Sequence, residues 1–100
     1  MAYALKIHRK VEGQLHRIPK KQRERLIATM RALREDPRPA GCVKLDEVLY
    51  RVRQGQYRII YAVFDDEVVV VVCKVARRAE RTYRDLETLL DRAERILGRR

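Results

Sequence analysis

The sequence predicts an α+β domain: an N-terminal strand, a helical hairpin, an antiparallel sheet of about four further strands and a C-terminal helix. Three observations predict it. Apolar residues recur at helical spacing between Val11 and Leu33; over residues 43–75 the period falls to two and β-branched residues dominate; after Val75 the helical spacing returns. The chain has 100 residues, 46% of them hydrophobic, which is the size of one packed core, so residues 1–100 read as a single domain.

Tyr3, Leu5 and Ile7 alternate with Ala4 and Lys6, the period of a half-buried strand over about residues 2–7. Val11, Leu15 and Ile18 recur at four and three residues, on one face of a short helix that Gly13 weakens. Pro19 suits a first helical position, and Leu26, Ile27, Met30 and Leu33 carry a second helix to about residue 35. Asp36, Pro37, Pro39 and Gly41 end it, since proline lacks an amide donor and disfavours helical geometry in the residue before it. Breaks at Asp46-Glu47, Gln54-Gly55 and Asp65-Asp66 divide residues 43–75 into four antiparallel strands. Tyr83, Leu86, Leu90, Ala93 and Leu97 mark a closing amphipathic helix that Gly98 ends. The helices are expected on one face of the sheet.

Twenty-four lysines and arginines stand against 14 acidic residues, a formal net charge of +10 that attracts polyanions: nucleic acid, a membrane surface or an acidic protein. The longest unbroken apolar runs, residues 59–64 and 68–73, are six residues each, against the roughly 20 needed to cross a bilayer. The first ten residues hold no apolar block with a cleavage site, so the reading is a cytoplasmic protein with no membrane partner. Cys42 and Cys73 form no CxxC pair, and His8 and His16 stand at no metal-ligand spacing to them, so the reading includes no metal and no cofactor. Cys73 continues a valine run and reads as core filler.

The charge converges in one place. With Gln54-Gly55 as a two-residue hairpin loop, Arg53 pairs with Gln56, Val52 with Tyr57, Arg51 with Arg58 and Tyr50 with Ile59. Val48, Tyr50, Val52, Tyr57, Ile59 and Tyr61 then share an apolar side, and Arg51, Arg53, Gln56 and Arg58 the opposite one. Like charges placed across strands cost some tenths of a kcal/mol, an expense that anion binding explains and a merely solvated basic face does not require. Arg78 closes the last strand, and Tyr83 follows as either a stacking ring or a core tyrosine beside Leu86 and Leu90.

Tyr50-Arg51-Val52-Arg53, then Gly55-Gln56-Tyr57-Arg58-Ile59-Ile60-Tyr61, the acidic turn Asp65-Asp66-Glu67, the valine strand and Val75-Ala76-Arg77-Arg78 together resemble the RelE/ParE superfamily of type II toxin-antitoxin modules. In its RelE branch a small α+β domain enters the ribosomal A site and cuts messenger RNA without a metal. The resemblance implies that Arg51 and Arg53 stand for the branch's two strand lysines, Arg58 for its signature arginine, Arg78 for the arginine after the last strand and Tyr83 for its stacking tyrosine. Ala76 stands where glycine is usual, and Arg77 where histidine is frequent.

Attack by the adjacent 2′-hydroxyl needs a base, an acid and charge stabilisation on the phosphorane, and arginine, with a pKa above about 12, is a poor base near neutral pH. The resemblance therefore implies that Arg51, Arg53 and Arg58 orient the phosphate and stabilise its developing charge, with Arg78 near the leaving oxygen and Tyr83 stacked on a base. It also implies the ribosome and its message as partners. A cognate antitoxin, acidic and partly disordered, is expected to bind the chain in a toxin-antitoxin hetero-oligomer. The alternative from the same superfamily is a ParE-like toxin that inhibits DNA gyrase by protein binding, without RNA cleavage.

Overall fold

Eight elements follow one another along residues 2–78 and 85–98, which the computed structural model describes: β1 (Ala4–Ile7), α1 (Arg9–His16), α2 (Lys20–Ala32), β2 (Val43–Asp46), β3 (Leu49–Gln54), β4 (Tyr57–Phe64), β5 (Val69–Arg77) and α3 (Leu86–Ile96). The strands form one five-stranded sheet in the order β1-β5-β4-β3-β2. β2 to β5 pair antiparallel, as their short turns require, whereas β1 lies parallel to β5, reached through the helical hairpin.

The helices do not share a face. Val11 and Leu15 of α1 and Leu26 and Met30 of α2 pack with Tyr50, Val52, Ile59, Tyr61, Val70 and Val72 on one side of the sheet. Leu89 and Ala93 of α3 pack with Leu49, Ile60, Ala62, Phe64, Val71 and Cys73 on the other. The expectation of a single covered face is corrected by the chain's own two apolar runs: strands buried on both sides read as continuous apolar stretches, and β4 and β5 carry them. Val48, expected on the hairpin side, packs with the α3 core instead, because it lies in the turn between β2 and β3, after Glu47 at φ +34°, and so outside the alternation of β3.

β1 ends opposite Val72, so the outer edge of β5 continues without a strand beside it. Gln14 of α1 covers it: its side-chain amide donates to the Val75 carbonyl at 2.7 Å and accepts from the Val75 amide at 3.1 Å. One side chain thus satisfies a stretch of edge backbone that would otherwise be left unpaired. α1 itself starts at His8, whose ring accepts from the Lys10 amide at 3.2 Å.

At the far end of the sheet a polar clasp ties four segments together. Arg38, in the α2–β2 connection, grips Asp65 with two donors at 3.2 and 2.7 Å and donates to the Tyr50 hydroxyl at 3.0 Å, while the Tyr3 hydroxyl donates to Asp65 at 2.7 Å. Beneath it the Tyr61 hydroxyl, pushed above its ordinary value mainly by burial, donates to the Pro37 carbonyl at 2.7 Å. Arg38 first, and the Tyr3 hydroxyl second, hold the Asp65 carboxyl below the usual carboxylate range. A carboxyl depressed in the fold stabilises it above the unfolded value of about 3.9, and that contribution is lost as pH falls through the folded value. Melting temperature is therefore expected to fall on acidification below about pH 5, and Asp65→Asn to flatten that part of a thermal-melt series; solvent screening keeps the effect small.

Candidate functional site

The β3–β4 turn is Gly55-Gln56, one residue later than the sequence reading, and Gly55 takes φ +60°. A two-residue hairpin loop with glycine first and positive φ at that residue matches the strand twist, whereas a Gln54-Gly55 loop would put glycine second. Arg53 therefore faces Arg58, and Arg51 faces Ile60, correcting the expected Arg51–Arg58 pair. Moving the loop by one residue slides every partner by two, so the faces are unchanged.

Two rows of side chains follow on the α3 side of the sheet, beyond its apolar part. The outer row is Arg53, Arg58 and Ala76; the next is Val43, Arg51, Ile60 and Lys74. Direct cross-strand neighbours lie about 5 Å apart and diagonal ones about 7–8 Å, so Arg51, Arg53 and Arg58 can reach one phosphate together. Arg53 is exposed, while Arg51 and Arg58 are half-buried, their stems lying against the sheet. Ala76 beside Arg58 adds only a methyl group, and the Nε of Arg58 is buried.

Arg78 follows β5 directly; its amide donates to the Gln56 carbonyl at 2.7 Å, which pins it at the turn beside the outer row, and it is exposed. Tyr83 lies outside the described residues. The structure thus brings together Arg51, Arg53 and Arg58 by face and Arg78 by backbone.

Lys74 was missed by sequence reasoning. The β4–β5 register slips between Ile60, opposite Lys74, and Tyr61, opposite Val72, leaving Cys73 as an extra residue, and this bulge puts Cys73 and Lys74 on the same side. Strict alternation hides this; the only signal was a single charge inside an apolar strand. Lys74 meets Asp85, at the start of α3, at 3.2 Å, and one oxygen of Asp85 is buried without a hydrogen-bond partner among the described residues. Arg92 of α3 donates to the Cys73 carbonyl at 3.3 Å, steadying the bulge, and burial pushes the Cys73 thiol up to about 12, as befits core packing.

The arrangement can bind a phosphodiester and stabilise added negative charge on it, with a carboxylate at its border. Comparisons with known proteins give the family. The family model described as ParE toxin of type II toxin-antitoxin system, parDE, matches residues 5–82. RelE1 of Methanocaldococcus jannaschii is 27% identical over 83 residues, covering 78% of this chain and 92% of that protein. Among solved structures, the archaeal RelE-RelB complex from Pyrococcus horikoshii OT3 contains a chain 32% identical, with a TM-score of 0.74 over 81% of this chain and 100% of that one. The isolated E. coli RelE toxin is 26% identical, with a TM-score of 0.68 over 95% of this chain and 99% of that one.

Proposed function

This chain belongs to the ParE toxin family, within the RelE/ParE superfamily of type II toxin-antitoxin systems, and on that premise we propose that it is a ribosome-dependent endoribonuclease that cuts messenger RNA in the A site. The observation that carries the reading is the outer row itself: Arg53 and Arg58 face each other across β3 and β4 with Arg51 a diagonal step away. Directly opposed guanidinium groups cost a sheet some tenths of a kcal/mol, whereas a pentavalent phosphorane, with extra charge spread over its equatorial oxygens, gains from donors placed in this way.

In this reading Arg51, Arg53 and Arg58 hold the scissile phosphate, Arg78 approaches the leaving oxygen from the turn, and Tyr83 stacks on a base. The 2′-oxygen attacks phosphorus as its proton is taken up, and the bond from phosphorus to the 5′-oxygen breaks, leaving a 2′,3′-cyclic phosphate and a 5′-oxygen that takes a proton from water. Alignment of these three atoms by the ribosome lowers the barrier, since well-oriented intramolecular attack supplies up to about 7–11 kcal/mol. Asp85, held by Lys74, is the carboxylate placed to take up a proton at the border of the patch. The chemistry needs no metal. The similarity to chains solved as RelE-RelB complexes supports a cognate antitoxin in a hetero-oligomer; that the antitoxin is acidic and the site of action cytoplasmic completes the proposal.

Inducing the chain in cells and mapping message ends tests the reading: cuts at codon positions, confined to translated frames, are expected. The description of the matching family model favours a second reading, inhibition of DNA gyrase by protein binding. Intact messages with a DNA-damage response would establish that reading and overturn the nuclease.

A further inference from the structure

Three clefts lie end to end around the free edge of β5, apart from the guanidinium patch. The first, of about 370 Å³, lies between α2 and the β3–β4 turn and is lined by Arg25 and Arg77. The second, of about 190 Å³, shares Tyr57 and Arg77 with it and adds Arg17. The third, of about 380 Å³, shares Gln14 and Arg17 with the second and reaches Lys10, Lys74 and Arg92 between α1, β5 and α3. Six cations line this track, one of them, Lys74, paired with Asp85, and among the described residues no carboxylate lines any of the three clefts.

We propose that the track is a backbone groove for a single nucleic-acid strand, binding consecutive phosphates outside the patch and leading the strand toward it. The two features meet along β5: Ala76, opposite Arg58, lines the second cleft, and Lys74, in the Arg51 row, lines the third. Phosphate contacts need only cations and N–H donors, and glutamine amides lie between the cations here. An acidic peptide would instead need apolar anchors at the centre of its interface; the third cleft, lined by Lys10, Gly13, Gln14, Arg17, Lys74 and Arg92, presents none, and the apolar residues lining the second, Ile18, Tyr57, Val75 and Ala76, are buried in the core. A Cβ built on Gly13 meets nothing within 4 Å, so the floor of this cleft is open. The local field is positive: His8 is held below its ordinary value, by burial first and then by Arg92, Arg9 and Lys10.

The direction assigned to the strand rests on the nucleic-acid reading of the patch, but occupancy of the groove is tested apart from it. The probe is a short single-stranded RNA with every 2′-oxygen methylated, which binds but cannot be cut, titrated into the purified chain at several salt concentrations. Lys10→Gln combined with Arg17→Gln, both exposed on or just beyond α1, is expected to weaken binding about tenfold and to reduce the salt slope by about 1.4, two phosphates at about 0.7 each, without changing the melting temperature. Unchanged affinity and slope in that double variant would overturn the groove even if Arg53→Gln weakens binding. Loss in the double variant with none in Arg53→Gln keeps the groove and removes the patch. Tighter binding of a poly-glutamate peptide than of the RNA at equal charge would make the track a protein-docking surface and also overturn the proposal.

Discussion

Arg58→Ala is expected to abolish translation arrest, with single-turnover cleavage on programmed ribosomes falling about 10²–10³-fold, the usual consequence of removing one preorganised donor from a developing oxyanion. Arg58 occupies the middle of the outer row, between Arg53 on β3 and Ala76 on β5, where the proposed function needs a donor to the phosphate. Arg58→Lys keeps the charge but loses the planar two-donor fork, so it should retain part of the activity. A thermal melt of both variants checks that the sheet has survived. Undiminished arrest by Arg58→Ala would remove the patch from the mechanism.

Leu89→Ala should cost about 2–5 kcal/mol in urea unfolding, the range for truncating a fully buried leucine. Leu89 is 0% exposed and sits at the centre of the contact between α3 and the sheet, against Leu49, Ile60 and Ala62 among others. α3 has 11 residues, too few for a helix to persist in water without tertiary packing. Its hold on the sheet therefore depends on this apolar stripe, helped by the Lys74–Asp85 pair at its start. A loss below about 1 kcal/mol would show that α3 contributes little to the global fold.

Much of this arrangement was legible in the chain. The alternation of Tyr50, Arg51, Val52 and Arg53 assigns each side chain to a face whatever the loop does, provided the loop keeps an even length, and that is why the basic side survived an error in register. The position of Gly55 held the information needed to correct the loop, since positive φ is demanded at the first turn residue. The placement of α3 was also encoded, in the unbroken apolar runs of β4 and β5, but such runs were read as alternating strands rather than as strands covered twice. Lys74 left a single sign, a lone charge inside an apolar strand, because a bulge is a property of two strands together and local alternation does not record it. The parallel pairing of β1 with β5 likewise depends on how the helical hairpin returns the chain, a long-range outcome no local period records.

The clasp of Arg38, Asp65 and Tyr3 sits just past the end of β4, whereas Arg58 lies near its start, so the two are separated by about seven residues of extended chain, roughly 23 Å. The clasp gathers unlike charges at one pole, and Arg51, Arg53 and Arg58 gather cations at the other, with the Lys74–Asp85 pair beside them. The molecule is thus fastened at the end away from the proposed RNA contact. Under the proposed function, a polyanion arriving at the second pole would be held by both strands of the hairpin at once.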